Sequence, residues 1–120
     1  MAAALAAVSA ALALTAGSGA SAARVEADRE LPQAFLLKLD EPSTVRVFRQ
    51  NRSDGLRAAR VAARKQKSEV TDAQNQVIGD LPADADVIYR THGVLAGVGV
   101  NATVGDKETL ERIEGVAAVY

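Results

Sequence analysis

The chain has no cysteine and no tryptophan, a single histidine, three prolines and 3% aromatic residues among its 120 positions. Without Cys there is no disulfide, no thiolate for zinc and no thiol nucleophile, so a domain outside the cell would be held by packing or by a partner. His92 precedes Gly93 in an expected turn, and no Ser or carboxylate stands at a recognisable partner spacing, so no enzyme active site is predicted. An excess of one charge is missing as well. The 14 basic residues face 15 acidic ones, net −1, which gives no general reason to expect a nucleic-acid partner.

Charge is absent altogether from residues 2–23. An Ala/Leu/Val run from Ala2 to Leu14 is followed by small residues, and Ala20-Ser21-Ala22 fits the small-x-small rule for signal peptidase. Residues 1–22 are therefore expected to be a signal peptide cleaved after Ala22, although no Lys or Arg follows Met1. A membrane anchor is the alternative; the length suffices, but Ala, Gly and Ser leave the stretch weakly apolar. The expectation is a secreted mature chain with no membrane attachment after cleavage. Residues 23–33 are polar and aperiodic and read as a flexible leader, and residues 34–120 as one folded domain.

Ala34 to Leu39 is a compact apolar run ended by Asp40-Glu41-Pro42-Ser43, which predicts a strand with apolar residues on both faces, central in its sheet. Ser43 to Arg52, with Val45, Val47 and Phe48, reads as a loop with a small apolar tuck. Ser53 or Asp54 is the expected N-cap of a long helix. Leu56, Ala59, Ala63, Gln66, Val70, Ala73, Val77 and Leu81 recur at helical spacing on one face, and Pro82 closes the segment. Arg57, Arg60, Arg64 and Lys67 form a basic stripe beside that seam. No aromatic residue interleaves them, and the stripe reads as a solvated helix edge.

Asp86 to Thr91 alternates as a strand, with Val87, Tyr89 and Thr91 on one side and Ile88 and Arg90 on the other. Gly97 to Ala102 is the next strand, its valines on one face and Gly97, Gly99 and Asn101 on the other, and the two predict an antiparallel hairpin. Thr103 to Ile113 predicts a second helix anchored by Leu110 and Ile113, stopped by Gly115 as a left-handed cap; Val116 to Tyr120 is the last strand. This order, βαββαβ, predicts an α+β ferredoxin-like fold: a four-stranded antiparallel sheet with two helices on one face. Two helices cover one face only. The second face, expected to carry Leu36, Ile88, Arg90, Gly97, Gly99, Ala117 and Val119, is then a candidate docking surface for a protein partner.

From Phe35 to Tyr120 the chain resembles the inhibitor I9 domain, the N-terminal pro-region of subtilisin-like serine proteases of the S8 family. Phe35 to Pro42 looks like the family's first strand and turn, Tyr89 to Val100 like its hairpin, and Thr103 to Tyr120 like its closing helix and strand; the first helix, with Gln74 and Leu81, resembles the longer version of larger bacterial subtilases. Val98 stands where the family usually has an aromatic residue. The resemblance implies an intramolecular chaperone and temporary inhibitor of a subtilisin-like protease domain, acting in cis or in trans through the open sheet face. It also implies an inhibitory tail that would follow Tyr120; neither the tail nor the Asp, His and Ser catalytic segments are in the sequence, so either a truncated precursor or an incomplete gene product is expected.

The alternatives are a stand-alone secreted inhibitor of the same type and a ferredoxin-like regulatory module. No catalytic residue, metal or cofactor is expected. Asp40-Glu41 reads as a strand-ending turn, and Asp84 with Asp86 offers too few ligands for a cation. Asn101-Ala102-Thr103 matches a glycosylation acceptor but reads as a strand-end coincidence.

Overall fold

The computed structural model of the protein describes residues 30–120. The expected signal peptide, 1–22, and the leader up to residue 29 lie outside the described residues. The elements are β1 (Pro32–Leu39), α1 (Thr44–Asn51), α2 (Leu56–Gly79), β2 (Asp86–Thr91), β3 (Gly97–Thr103), α3 (Lys107–Glu111) and β4 (Val116–Val119), with short 3₁₀ turns at Arg52–Asp54 and Val104–Asp106. The four strands form one sheet in the order β2-β3-β1-β4, and every neighbouring pair is antiparallel. The fold is α+β with the ferredoxin-like strand order, and β1 is central, as its two apolar faces predict.

Alternation builds the core. Phe35, Leu37 and Leu39 of β1 and Val98, Val100 and Ala102 of β3 point to one side, where Val70 and Val77 of α2, Leu110 of α3 and Ile113 beyond it meet them. Leu37, Val70, Val98, Val100 and Leu110 are wholly buried. Each such side chain contributes roughly 1.5–3 kcal/mol through removal from water.

Three elements differ in extent from the sequence reading. β1 begins at Pro32, so Pro32 and Gln33 belong to the strand and not to the leader. Backbone pairing with Thr103 and Ala102 of β3 extends it. The long helix starts later than expected: Ser53 and Asp54 lie in a 3₁₀ turn, and Gly55, at φ +104°, is the N-cap of α2. That φ suits glycine alone among common residues. The helix ends at Gly79, ahead of Pro82. The expected second helix is divided into a 3₁₀ turn and the five-residue α3. Asp106 Oδ2 accepts from the Thr103 backbone N–H at 3.3 Å and from the Thr103 hydroxyl at 2.9 Å, which holds the turn tight. Gly115, at φ +91°, follows as the predicted left-handed residue.

One element is new. The segment read as a loop is helix α1, so the described residues hold three α-helices where two were expected. Ser43 is its N-cap: its Oγ accepts from the Arg46 backbone N–H at 3.3 Å. The Thr44 and Val45 N–H groups, otherwise without partners in the first turn, donate to the His92 and Gly93 carbonyls at 2.8 and 3.1 Å. The Thr44 hydroxyl also donates to the His92 carbonyl. α1 packs along α2 and contributes no fully buried residue. Two glutamines tie the layers together. Gln66 donates to the Pro42 carbonyl at 2.7 Å and holds the turn after β1. Gln74 donates to the Thr91 and Gly97 carbonyls at 2.9 and 3.0 Å and clamps the ends of β2 and β3.

Candidate docking face of the sheet

The helices leave one sheet face uncovered, and strand register decides what lies on it. Leu36 stands opposite Gly99, Lys38 opposite Gly97, and Ala34 opposite Asn101. On the outer strand Tyr89 stands opposite Gly99, Thr91 opposite Gly97 and Asp86 opposite Asn101. On the other edge Ala118 stands opposite Lys38, and Tyr120 exchanges two 2.9 Å backbone hydrogen bonds with Leu36. Directly paired residues share a face, so Leu36, Tyr89, Gly97, Gly99, Ala118 and Tyr120 form one band. The charged residues at these ladder positions are Lys38 and Asp86, towards opposite ends of the face.

Of the seven residues expected on this face, Leu36, Gly97 and Gly99 are brought together there. Arg90 is not. It pairs with Val98, on the helix side, where its guanidinium donates to Asn75 Oδ1 at 2.8 Å. Val119 pairs with Leu37 and packs against the core. Ile88 and Ala117 sit at register shifts, without partners directly opposite, and both are exposed. The cause is the same on both edges. A bulge between Val87 and Tyr89, and another irregularity opposite Lys38 and Leu39, each move the alternation by one residue. A one-residue slip exchanges the faces of everything beyond it.

The bulge also brings in a residue that strict alternation placed on the core side. The Tyr89 ring lies over Gly99 so closely that a Cβ at Gly99 would clash with three of its ring carbons. The glycine is therefore required by a side chain packed across the strand, and the tyrosine fills the gap that the glycine leaves. Gly97 is similarly tight, 2.9 Å from an added Cβ to the Leu37 carbonyl oxygen. Both glycines are buried, while Tyr89 and Tyr120 remain 49% and 68% exposed. The face offers two aromatic side chains and one leucine on a shallow floor, a composition suited to a protein surface.

The polar groups elsewhere serve the fold. His92 Nδ1 is 3.3 Å from the Thr44 hydroxyl, which places the ring at the junction of α1 with the β2–β3 connection. Asp84 is paired with Asp106: their side-chain hydrogen bond raises the Asp84 pKa and lowers that of Asp106, whose carboxylate also accepts from Thr103. Asp86 is not in that pair. Among the described residues no group of three or more His, Asp or Glu is placed to share a metal ion. Comparison of the chain with family models, with curated proteins and with solved structures finds no match.

Proposed function

We propose that the chain is the pro-domain of a secreted subtilisin-like protease, and that it docks on the protease domain through the open sheet face. The observation that carries this reading is the band of Leu36, Tyr89, Ala118 and Tyr120 on a face with two charged ladder positions, left uncovered by all three helices. The resemblance of residues 35–120 to the I9 domain and the signal-peptide pattern of residues 1–22 support it. Docking would bury the tyrosines and Leu36, and apolar burial with aromatic anchors supplies most of the affinity at such interfaces. A partner that binds the folded protease and not the unfolded chain raises the folded population by mass action, which is how a docked sheet assists folding.

Titration of the chain into mature subtilisin tests the reading, with binding followed by calorimetry and activity by cleavage of a chromogenic peptide. Binding in the micromolar range is expected, weakened about tenfold or more by Leu36→Asp and unchanged by Arg90→Gln on the covered side. Absence of binding up to ~100 μM, or equal losses from the two substitutions, overturns it.

A further inference from the structure

The near-neutral total charge conceals a sharp division. Residues 44–67, α1 and the first half of α2, hold eight Lys and Arg and one acidic residue, whereas the rest of residues 30–120 holds four basic and twelve acidic ones. The stripe on α2 is therefore half of a larger feature. The other half, Arg46, Arg49 and Arg52, belongs to α1 and to the turn after it, a segment read from the sequence as a loop.

Three shallow clefts that share lining residues run from the α1 arginines to Arg64 and Lys67 of the stripe. The first lies between the helices and is lined by Thr44, Val45, Phe48, Arg49, Arg52 and Ala63. The second shares Val45 and Arg49 and adds Arg46 and Val94. The third shares Thr44 and Ala63 and adds Arg64, Lys67 and His92. Among the described residues, ion pairs form at Lys65–Glu69 and Lys107–Glu111, so none of the cleft-lining Arg and Lys side chains has a carboxylate within 4.0 Å. Apolar groups stand between the cations: Val94 is 87% exposed, Val45 is exposed, and Phe48 is half-buried. None of the residues of the open sheet face lines these clefts.

We propose that this α1–α2 lobe is a docking surface for an anionic lipid bilayer, on which it lies without spanning it. Unneutralised arginines flanking exposed valines and a phenylalanine are the pattern of an interfacial segment, in which cations meet lipid phosphates and apolar tips enter the acyl boundary. A nucleic-acid backbone would use the cations but gives exposed Val45 and Val94 no apolar phase to enter, and no exposed aromatic ring stands among the cations for base stacking, whereas a bilayer takes up both the charges and the valines. Among the described residues no helix is long and apolar enough to cross a membrane, consistent with a surface mode. The inference is independent of the protease reading and departs from the expectation of a mature chain that ignores membranes.

Vesicle co-sedimentation of the full chain tests it, with phosphatidylcholine alone and with roughly a quarter phosphatidylglycerol added. The uncharged run 2–23 does not distinguish the two vesicles, so the ratio of their partition coefficients reads the charged lobe. A ratio on the order of tenfold or more is expected at low salt, collapsing towards one at ~0.5 M salt. Replacing Arg46, Arg49 and Arg52 together by Gln should lower the ratio about tenfold or more, at roughly fivefold per charge and less than additive. Arg60→Gln with Arg64→Gln should also lower it, whereas Lys107→Gln with Arg112→Gln should not. Circular dichroism checks that each variant keeps its helices. Val94→Ser, which keeps every charge, should weaken binding several-fold. A ratio near one, a ratio indifferent to the lobe's arginines, or equally tight binding of polyphosphate or a short DNA duplex overturns the proposal.

Discussion

The two halves of α2 belong to one continuous helix and have different neighbours. In the second half Val70, Gln74 and Val77 are buried against the sheet. In the first half Ala59 and Gln66 are buried, the latter on the turn after β1, but Leu56 and Val61 are 51% and 59% exposed, and the neighbour is α1, a helix with no fully buried residue of its own. Helices take most of their stability from an apolar face packed on something larger. The second half meets that condition. The first half replaces it with alanine contacts, the clasp of Thr44 and Val45 on the β2–β3 connection, and a partner helix carrying charge of the same sign. The contrast teaches that a long helix can serve as core at one end and as an outlying, strongly charged surface at the other.

The contrast is most easily broken by mutation. Leu37→Ala removes a fully buried side chain from the centre of the sheet and should cost about 2–5 kcal/mol, whereas Leu56→Ala at the exposed end of α2 should cost less than about 0.5 kcal/mol. Urea denaturation measures both, and comparable losses would mean that the lobe is part of the core. Gln74→Ala leaves the Thr91 and Gly97 carbonyls without their donor and should cost roughly 1–3 kcal/mol. Hydrogen exchange of that variant sharpens the comparison: amides near residues 70–77 should lose protection, while those near 56–63, expected to exchange faster in the wild type as well, should change little.

The smallest effect is expected at the Asp84–Asp106 pair. Asp84, with its pKa raised, contributes stability below the ordinary carboxylate range and loses it as pH rises through its raised value. Asp106, with its pKa lowered, contributes above the ordinary range and loses it as pH falls through its lowered value. The pair is therefore best satisfied between the lowered Asp106 value and the raised Asp84 value, with one shared proton, and above the raised value two carboxylates face each other. Asp84→Asn should raise the melting temperature slightly above the raised Asp84 value and flatten its decline as pH rises through that value. A variant with an unchanged pH profile would mean that the two carboxylates do not interact in solution.

The open face sharpens the same division between what is locally written and what is assembled. The alternation of Phe35, Leu37 and Leu39, the valines of β3, the anchors Leu110 and Ile113 and the Gly115 cap were all legible, because each depends on residues a few positions away. Helix α1 was missed although its signal was present: Ser43 stands where an N-cap should, but Pro42 beside it reads as a turn and the β-branched Thr44, Val45 and Val47 disfavour a helix in isolation. Packing along α2 and two carbonyls supplied from the β2–β3 connection overrode that preference.

By itself the sequence determined the four strands, the long helix and the closing helical segment in their order, the ferredoxin-like strand arrangement and the side of β1 and β3 that forms the core, since those follow from periodicity and end signals along the chain. The tertiary structure alone decided the faces of β2 and β4, because a bulge is set by the partner strand; it moved Tyr89 over Gly99 and sent Arg90 to Asn75. It alone also gathered two separate sets of arginines into one lobe, because charge along a chain says nothing about which helices lie side by side.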